Sequence, residues 1–275
     1  MISLWRRVSY IGGMKHALAL ILLATPVHAM TQDELLQAAL LPGWRMEDGH
    51  HMAGLSLQLE PGWKTYWRSP GEAGIPPVFD WAGSQNVKSV RVHWPSPVVF
   101  HTNGMQTVGY KGGVVLPLEV VAIDPGKPVH LAARVDMGIC KDICMPAMIE
   151  VSADLPAAGA SDASIHTALK ARPESGDQAG LRAVSCAVEP ISDGLRLTAT
   201  LQMPARGGTE AVVVEPADRS IWVSEAVTGW TGGALTAVVD MVGPTGAPFG
   251  LDRSGLRLTV LGDGRAVEVV GCPAP

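Results

Sequence analysis

The feature that most narrows the folds open to this chain is a succession of short alternating segments separated by turn-forming pairs. Apolar and polar residues alternate in Met52–Leu59, Val87–Trp94, Val114–Ile123, His130–Met137 and Met148–Leu155, the period-two pattern of strands with one buried face. Pro61-Gly62, Asn103-Gly104 and Gly112-Gly113 fall between such runs, and these pairs favour chain reversal because glycine accepts backbone angles that other residues avoid. Short strands at this spacing predict an antiparallel sandwich. Thr31–Leu40 reads instead as a short helix, with Thr31 as N-cap and Asp33 and Glu34 in its first turn.

After this region the composition turns small and polar at Pro156–Asp162, and a second short helix is expected over Ala163–Ala171 with Asp162 as its cap. Residues 157–180 read as a linker. Strand signals resume in Ala183–Val188, Gly194–Gln202, Glu210–Glu215, Ser220–Val223, Ala234–Asp240, Leu256–Leu261 and Ala266–Val270. The domain plan expected is therefore a sandwich over 30–156, the linker, and a second sandwich over 181–275.

Residues 1–29 have the layout of a secretory signal peptide: Arg6, Arg7 and Lys15, then the apolar run Ala17–Ala24, then the small-residue exit Val27-His28-Ala29. Beyond Ala29 no stretch approaches the roughly 20 apolar residues of a spanning helix, so no transmembrane helix is expected after signal removal. The net charge of −5 is spread without a basic stripe, which argues against a nucleic-acid partner. Ser96, Ser185 and Ser254 lie outside any Gly-x-Ser-x-Gly setting, and no glycine-rich phosphate loop is present.

The chain has four cysteines. In an exported protein four cysteines allow three pairings. Cys140 and Cys144 flank Lys141-Asp142-Ile143 between strand-like segments, with Gly138 before and Pro146 after. A hairpin with this three-residue turn sets the two thiols opposite one another, close enough to bond. A bridge closing so small a loop gains little from chain entropy and is more easily reduced than a long-range one, which suits a working bond. Lys141 would lower a neighbouring thiol pKa, and Asp142 would raise it. Cys186 lies in the first strand of the second region and Cys272 just after its last, so a structural disulfide is expected there.

A second reading of Cys140 and Cys144 stays open: a non-catalytic binding module, in which they serve as a plain staple or as Cu(I) ligands with Met145, Met148 and His101. Zinc at the cysteines is disfavoured, because no histidine stands at a ligand spacing from the pair. No metal and no cofactor is expected.

The series Pro61-Gly-Trp-Lys-Thr-Tyr-Trp-Arg-Ser-Pro-Gly-Glu-Ala-Gly74, Phe79-Asp-Trp81, Trp94-Pro-Ser-Pro97, Gly109-Tyr-Lys-Gly112, Leu116-Pro-Leu118 and Cys140-Lys-Asp-Ile-Cys-Met-Pro146 resembles the N-terminal periplasmic domain of the DsbD/ScsB thiol:disulfide interchange proteins. The resemblance covers about residues 40 to 156, and the second region is more loosely similar to ScsB-like members. It implies an all-β fold of two immunoglobulin-like antiparallel β-sandwich domains joined by a short linker. It implies a periplasmic two-electron relay, with Cys144 the attacking thiol and Cys140 the resolving one. Implied partners are thioredoxin-like periplasmic proteins and a separate membrane-embedded electron conductor. The family's cap loop falls near Phe100-His101-Thr102, where His101 could sit beside Cys144 and stabilise its thiolate.

Other conspicuous residues have plainer expected roles. Trp63, Trp67, Trp81 and Trp94 are expected in core or turn packing. His50-His51 is expected to be a solvated pair in a turn, and Asp136 and Asp142 are expected to be surface carboxylates.

Overall fold

The computed structural model describes residues 31–102 and 104–275; the predicted signal peptide lies outside the described residues. The chain forms two all-β, immunoglobulin-like antiparallel sandwiches, as expected. The first contains β1 (Leu36–Arg45), β2 (His51–Leu59), β3 (Lys64–Tyr66), β4 (Val78–Asp80), β5 (Val87–Val92), β6 (Val98–Thr102), β7 (Met105–Lys111), β8 (Gly113–Ala122), β9 (Val129–Cys140) and β10 (Cys144–Leu155). One sheet has the order β1-β2-β8-β5, and the other β10-β9-β3-β7-β6 with β4 also on β9.

Alternation sets the inner faces. Leu55 and Leu57 of β2, Leu116, Leu118 and Val120 of β8, and Leu131, Val135, Met137 and Ile139 of β9 are almost fully buried around Trp67. Trp67 is a core residue, and Trp63, Trp81 and Trp94 pack against the same core. Burying a Leu- or Ile-sized side chain contributes about 1.5–3 kcal/mol before the cost of ordering it.

The helix expected over Thr31–Leu40 is only one turn, α1 (Gln32–Leu35). Leu36 onward is strand β1, paired with β2 from Leu36↔Leu59 to Arg45↔His51 with an irregularity between Leu41 and Trp44. A ladder with a strand some twenty residues away outweighs the weak local preference for helix. Glu34 still acts locally: the Thr31 amide donates to its carboxylate at 2.7 Å.

The segment between the sandwiches is packed on both. In α2 (Ala163–Lys170) the Asp162 side chain accepts from the Ser164 and Ile165 amides, the N-cap arrangement anticipated. Ile165 is fully buried, with its side chain against Gly54 of β2. Next, β11 (Glu174–Ser175) pairs in parallel with β19 (Arg265–Val270) of the second sandwich.

That sandwich comprises β12 (Ala183–Ile191), β13 (Gly194–Gln202), β14 (Ala211–Glu215), β15 (Trp222–Val223), β16 (Val227–Thr231), β17 (Ala234–Val242), β18 (Arg257–Gly262) and β19. Its sheets run β11-β19-β18-β14 and β12-β13-β17-β15, with β16 on β17. Cys186 of β12 and Cys272 beyond β19 form a disulfide spanning 86 residues, with Cα atoms 5.5 Å apart. Both are buried in the second core.

The sandwiches also meet through charge. Arg68, 8% exposed in its side chain, donates to Glu215 at 2.8–2.9 Å and to Glu268 at 2.6 Å, and stacks on Trp67 with its guanidinium 4.1 Å from the ring centre. The two carboxylates hold the guanidinium firmly in its charged form against the cost of burial. Among the described residues no helix is long and apolar enough to cross a membrane.

Candidate active site

Strands β9 and β10 form a long hairpin whose tight end carries two cysteines. The turn is Lys141-Asp142-Ile143, and Cys140 and Cys144 are Cα partners in the register. They form a disulfide with Cα atoms 4.1 Å apart. That separation belongs to the close, non-hydrogen-bonded kind of antiparallel pair. The Gln32 side chain shows the same parity further along, bonding both the amide and the carbonyl of Met148 from the free side of β10.

The two sulfurs have different surroundings. In β9 the core-facing residues are Leu131, Ala133, Val135, Met137 and Ile139, so Cys140 and Gly138 point to the outer face of the sheet. Cys140 is nevertheless only 5% exposed, because this outer face is covered locally. Cys144, at the start of edge strand β10, is exposed, and Ile143 beside it is 77% exposed.

The cover is Tyr66 and the chain that follows it. Lys64 of β3 pairs with Cys140, and Thr65 with Ile139. Tyr66 is 2% exposed, and its hydroxyl lies 3.2 Å from Cys144 Sγ. A disulfide sulfur has no proton, so the tyrosine donates. Burial pushes the Tyr66 pKa up, which keeps the phenol protonated as a donor near neutral pH.

Two glycines make this placement possible. A Cβ on Gly138 would lie 3.0 Å from the Tyr66 ring and 2.7 Å from Ile75 Cβ, and a Cβ on Gly74 would lie 2.9 Å from the same ring. The segment from Pro70 to Ile75 thus folds down on the tyrosine, fastened by Val108 N–H to Pro70 O at 2.9 Å and Gly138 N–H to Ile75 O at 3.3 Å.

Lys64 extends along the same face. Its Nζ donates to Thr107 Oγ1 at 3.2 Å and lies 4.7 Å from the centre of the Phe100 ring. Burial lowers its pKa. Phe100 belongs to β6, which pairs with β7 from Val98↔Gly109 to Thr102↔Met105, so the expected cap is a regular hairpin. His101 is exposed on it and pairs with Gln106; among the described residues its side chain makes no hydrogen bond. Lys141 runs beside Gly62, while Asp142 and Pro146 are exposed and Pro146 pairs with Gly138.

Of the two thioethers in the copper reading, Met148 shares the face of Cys144 but lies further along β10, opposite Asp136. Met145 packs on the first core, on the face of β10 opposite Cys144. Tyr66 is the site residue that residue-by-residue reading missed. The alternation of Lys64-Thr65-Tyr66 signals a shared face for Lys64 and Tyr66, but only the pairing of β3 with β9 brings that face to the cysteines.

Residues 34–156 match the family described as thiol:disulfide interchange protein DsbD, N-terminal. No protein with a curated description is significantly similar to the chain. Among solved structures, the crystal structure of the N-terminal periplasmic domain of ScsB from Proteus mirabilis superposes with a TM-score of 0.64 at 27% identity, covering 87% of this chain and 92% of that one. The likeness therefore runs through both sandwiches.

Proposed function

We propose, from the membership of residues 34–156 in the family of DsbD N-terminal domains, that this chain is a periplasmic two-electron relay whose working dithiol is Cys140 and Cys144. Thiol:disulfide interchange is the general activity that the family and the ScsB likeness support. The observation that carries the finer reading is the asymmetry of the bridge: one sulfur is exposed and accepts a hydrogen bond from Tyr66, and the other is buried behind it.

In the reduced protein the Cys144 thiolate attacks a disulfide sulfur of a partner. The new bond is a mixed disulfide, and the partner's second sulfur leaves as a thiolate. Cys140 then attacks Cys144 Sγ, closing the intramolecular bridge and releasing the partner's first thiolate. Two electrons and two protons pass to the partner, and the reverse sequence reloads the pair. The buried Tyr66 hydroxyl stabilises negative charge on Cys144 at both ends of the cycle. The exposed Ile143 and the open edge of β10 leave Cys144 accessible to a thioredoxin-like partner, and a separate membrane-embedded protein would supply electrons from across the membrane.

The test is trapping. With a reduced protein and an oxidised thioredoxin-like partner, Cys140→Ser should accumulate a mixed disulfide through Cys144, and Cys144→Ser should neither exchange nor trap. Full exchange by both variants would overturn the assignment, and trapping by Cys144→Ser alone would reverse the two roles.

A further inference from the structure

The outer face of the other sheet of the first sandwich carries a cluster that thiol chemistry does not use. Glu119 of β8 points outward, since Leu116, Leu118 and Val120 on the same strand face the core. One Glu119 oxygen lies 2.8 Å from His50 Nδ1, and the other lies 2.8 Å from His93 Nε2. Asp48 joins through its turn: its Oδ1 accepts from the His50 amide at 2.9 Å, which leaves Oδ2 at 3.5 Å from His50 Nδ1. One ligand atom each from Asp48, His50 and Glu119 lies within 4.8 Å of the other two.

We propose that Asp48, His50 and Glu119 form a binding site for a divalent ion of the zinc class, with His93 holding Glu119 in place. On a tetrahedral zinc with bonds of about 2.0–2.1 Å, adjacent ligand atoms stand about 3.3 Å apart, so the three groups close on one ion by side-chain rotation alone. An imidazole with two carboxylates suits a borderline ion, whereas calcium and magnesium select shells of six or more oxygens and waters.

The role of His93 follows from Arg172. The guanidinium donates to His93 Nδ1 at 3.2 Å, and its own Nε is anchored on the Leu169 carbonyl at 3.0 Å. An accepting Nδ1 puts the ring proton on Nε2, where it donates to Glu119. Arg172 fixes that tautomer, so His93 Nε2 keeps its proton and orients the carboxylate as an outer partner, an arrangement common around metal-bound carboxylates. His50 Nδ1 also donates to Glu119, but among the described residues its Nε2 has no hydrogen-bond partner, so the ring proton can move to Nε2 and leave Nδ1 free for the ion. Burial agrees with this division. The side chains of Glu119 and His93 are 17% and 14% exposed, whereas Asp48 and His50, at 58% and 35%, form the open side where an ion would enter.

The test is calorimetric titration of zinc chloride into the untagged protein with both disulfides oxidised, so that no thiolate can ligate. The expected result is one equivalent bound with micromolar affinity, and binding at least ten-fold weaker in His50→Ala and in Glu119→Gln. Asp154→Asn, which alters the exposed two-group pair of His130 and Asp154, should bind as the parent does. A zinc-dependent rise in melting temperature, present in the parent and lost in the two site variants, reads the same site without calorimetry. Absence of binding to the oxidised parent overturns the proposal. So does undiminished binding by His50→Ala and Glu119→Gln, or an equal loss in Asp154→Asn. None of these outcomes bears on the dithiol, whose trapping assay is separate.

Discussion

The two disulfides should separate cleanly in a graded thiol buffer, and the gap can be worked from the chain. Whatever a bridge adds to the stability of the fold must be overcome when it is reduced, so the more stabilising bridge has the lower potential. Cys140–Cys144 joins residues four apart, and Cys186–Cys272 joins residues 86 apart. In the chain-entropy treatment the difference is 1.5RT times the logarithm of that ratio, about 2.7 kcal/mol at 25 °C. For a two-electron couple this corresponds to about 60 mV. Access sets the rate instead: Cys186 and Cys272 are 0% and 1% exposed and reach equilibrium more slowly than the pair containing the open Cys144, so each buffer is sampled until the ratios stop changing. Equilibration, alkylation and peptide mass measurement should place Cys140/Cys144 at about −180 to −270 mV and Cys186/Cys272 below about −300 mV. A gap under about 20 mV, or the opposite order, would refute the reasoning and return the hairpin bridge to the status of a staple.

Three further outcomes follow from named contacts. Cys186→Ala with Cys272→Ala should lower unfolding free energy in urea by up to about 4.6 kcal/mol and leave exchange intact; loss of exchange by the folded double variant would contradict the division of labour between the bridges. Tyr66→Phe removes the only hydroxyl bonded to Cys144 among the described residues, and a hydrogen bond to a charged group contributes about 1.5 kcal/mol. The Cys144 thiol pKa in the reduced protein should therefore rise by about one unit, read as a shift of the alkylation rate profile to higher pH. Asp162→Ala should cost about 1 kcal/mol through loss of the α2 cap. The Ser164 hydroxyl, with the Ser164 and Ile165 amides, holds the Asp162 carboxyl below its ordinary value. The cap's charge-dependent contribution is thus present above the unfolded carboxyl's pKa and lost as pH falls through the lower folded one, so parent and variant should converge in acid.

Several strands were legible because both of their faces are specified. Gly194–Gln202 alternates between two environments from Leu195 onward and is strand β13 as anticipated. Thr31–Leu40 misled because its first turn carries genuine helix-start residues, yet Leu36, Ala38 and Leu40 face Leu59, Leu57 and Leu55 across a ladder that no local window contains. The His50-His51 pair was expected in solvent. His51 instead begins β2, is 7% exposed, and places Nε2 at 2.6 Å from the Pro42 carbonyl, while His50 turns to Glu119 of β8. Both partners are remote or on another strand, so a turn-based reading could not supply them. At the dithiol, the turn length was enough to place Cys140 opposite Cys144. It was not enough to say which sulfur would be sheltered.

That distinction comes from sheet order. Cys140 ends a strand with neighbours on both sides, β10 on one and β3 on the other, whereas Cys144 begins an edge strand with β9 alone beside it. The inner position lets β3 present Lys64 opposite Cys140 and carry Tyr66 past Gly138, where the missing side chain leaves room for the ring to lie across β9 and reach Cys144. A hairpin with the same five residues but with β10 on the inside would shelter Cys144 and expose Cys140, exchanging their surroundings, and with them the roles proposed above, without any change in the motif. The unequal exposure of the pair, on which the proposed exchange chemistry rests, is therefore a property of the whole sheet. Substitutions at Gly138 or Gly74, neither of which is a cysteine or touches solvent chemistry directly, act on it by displacing the one ring that spans the three strands.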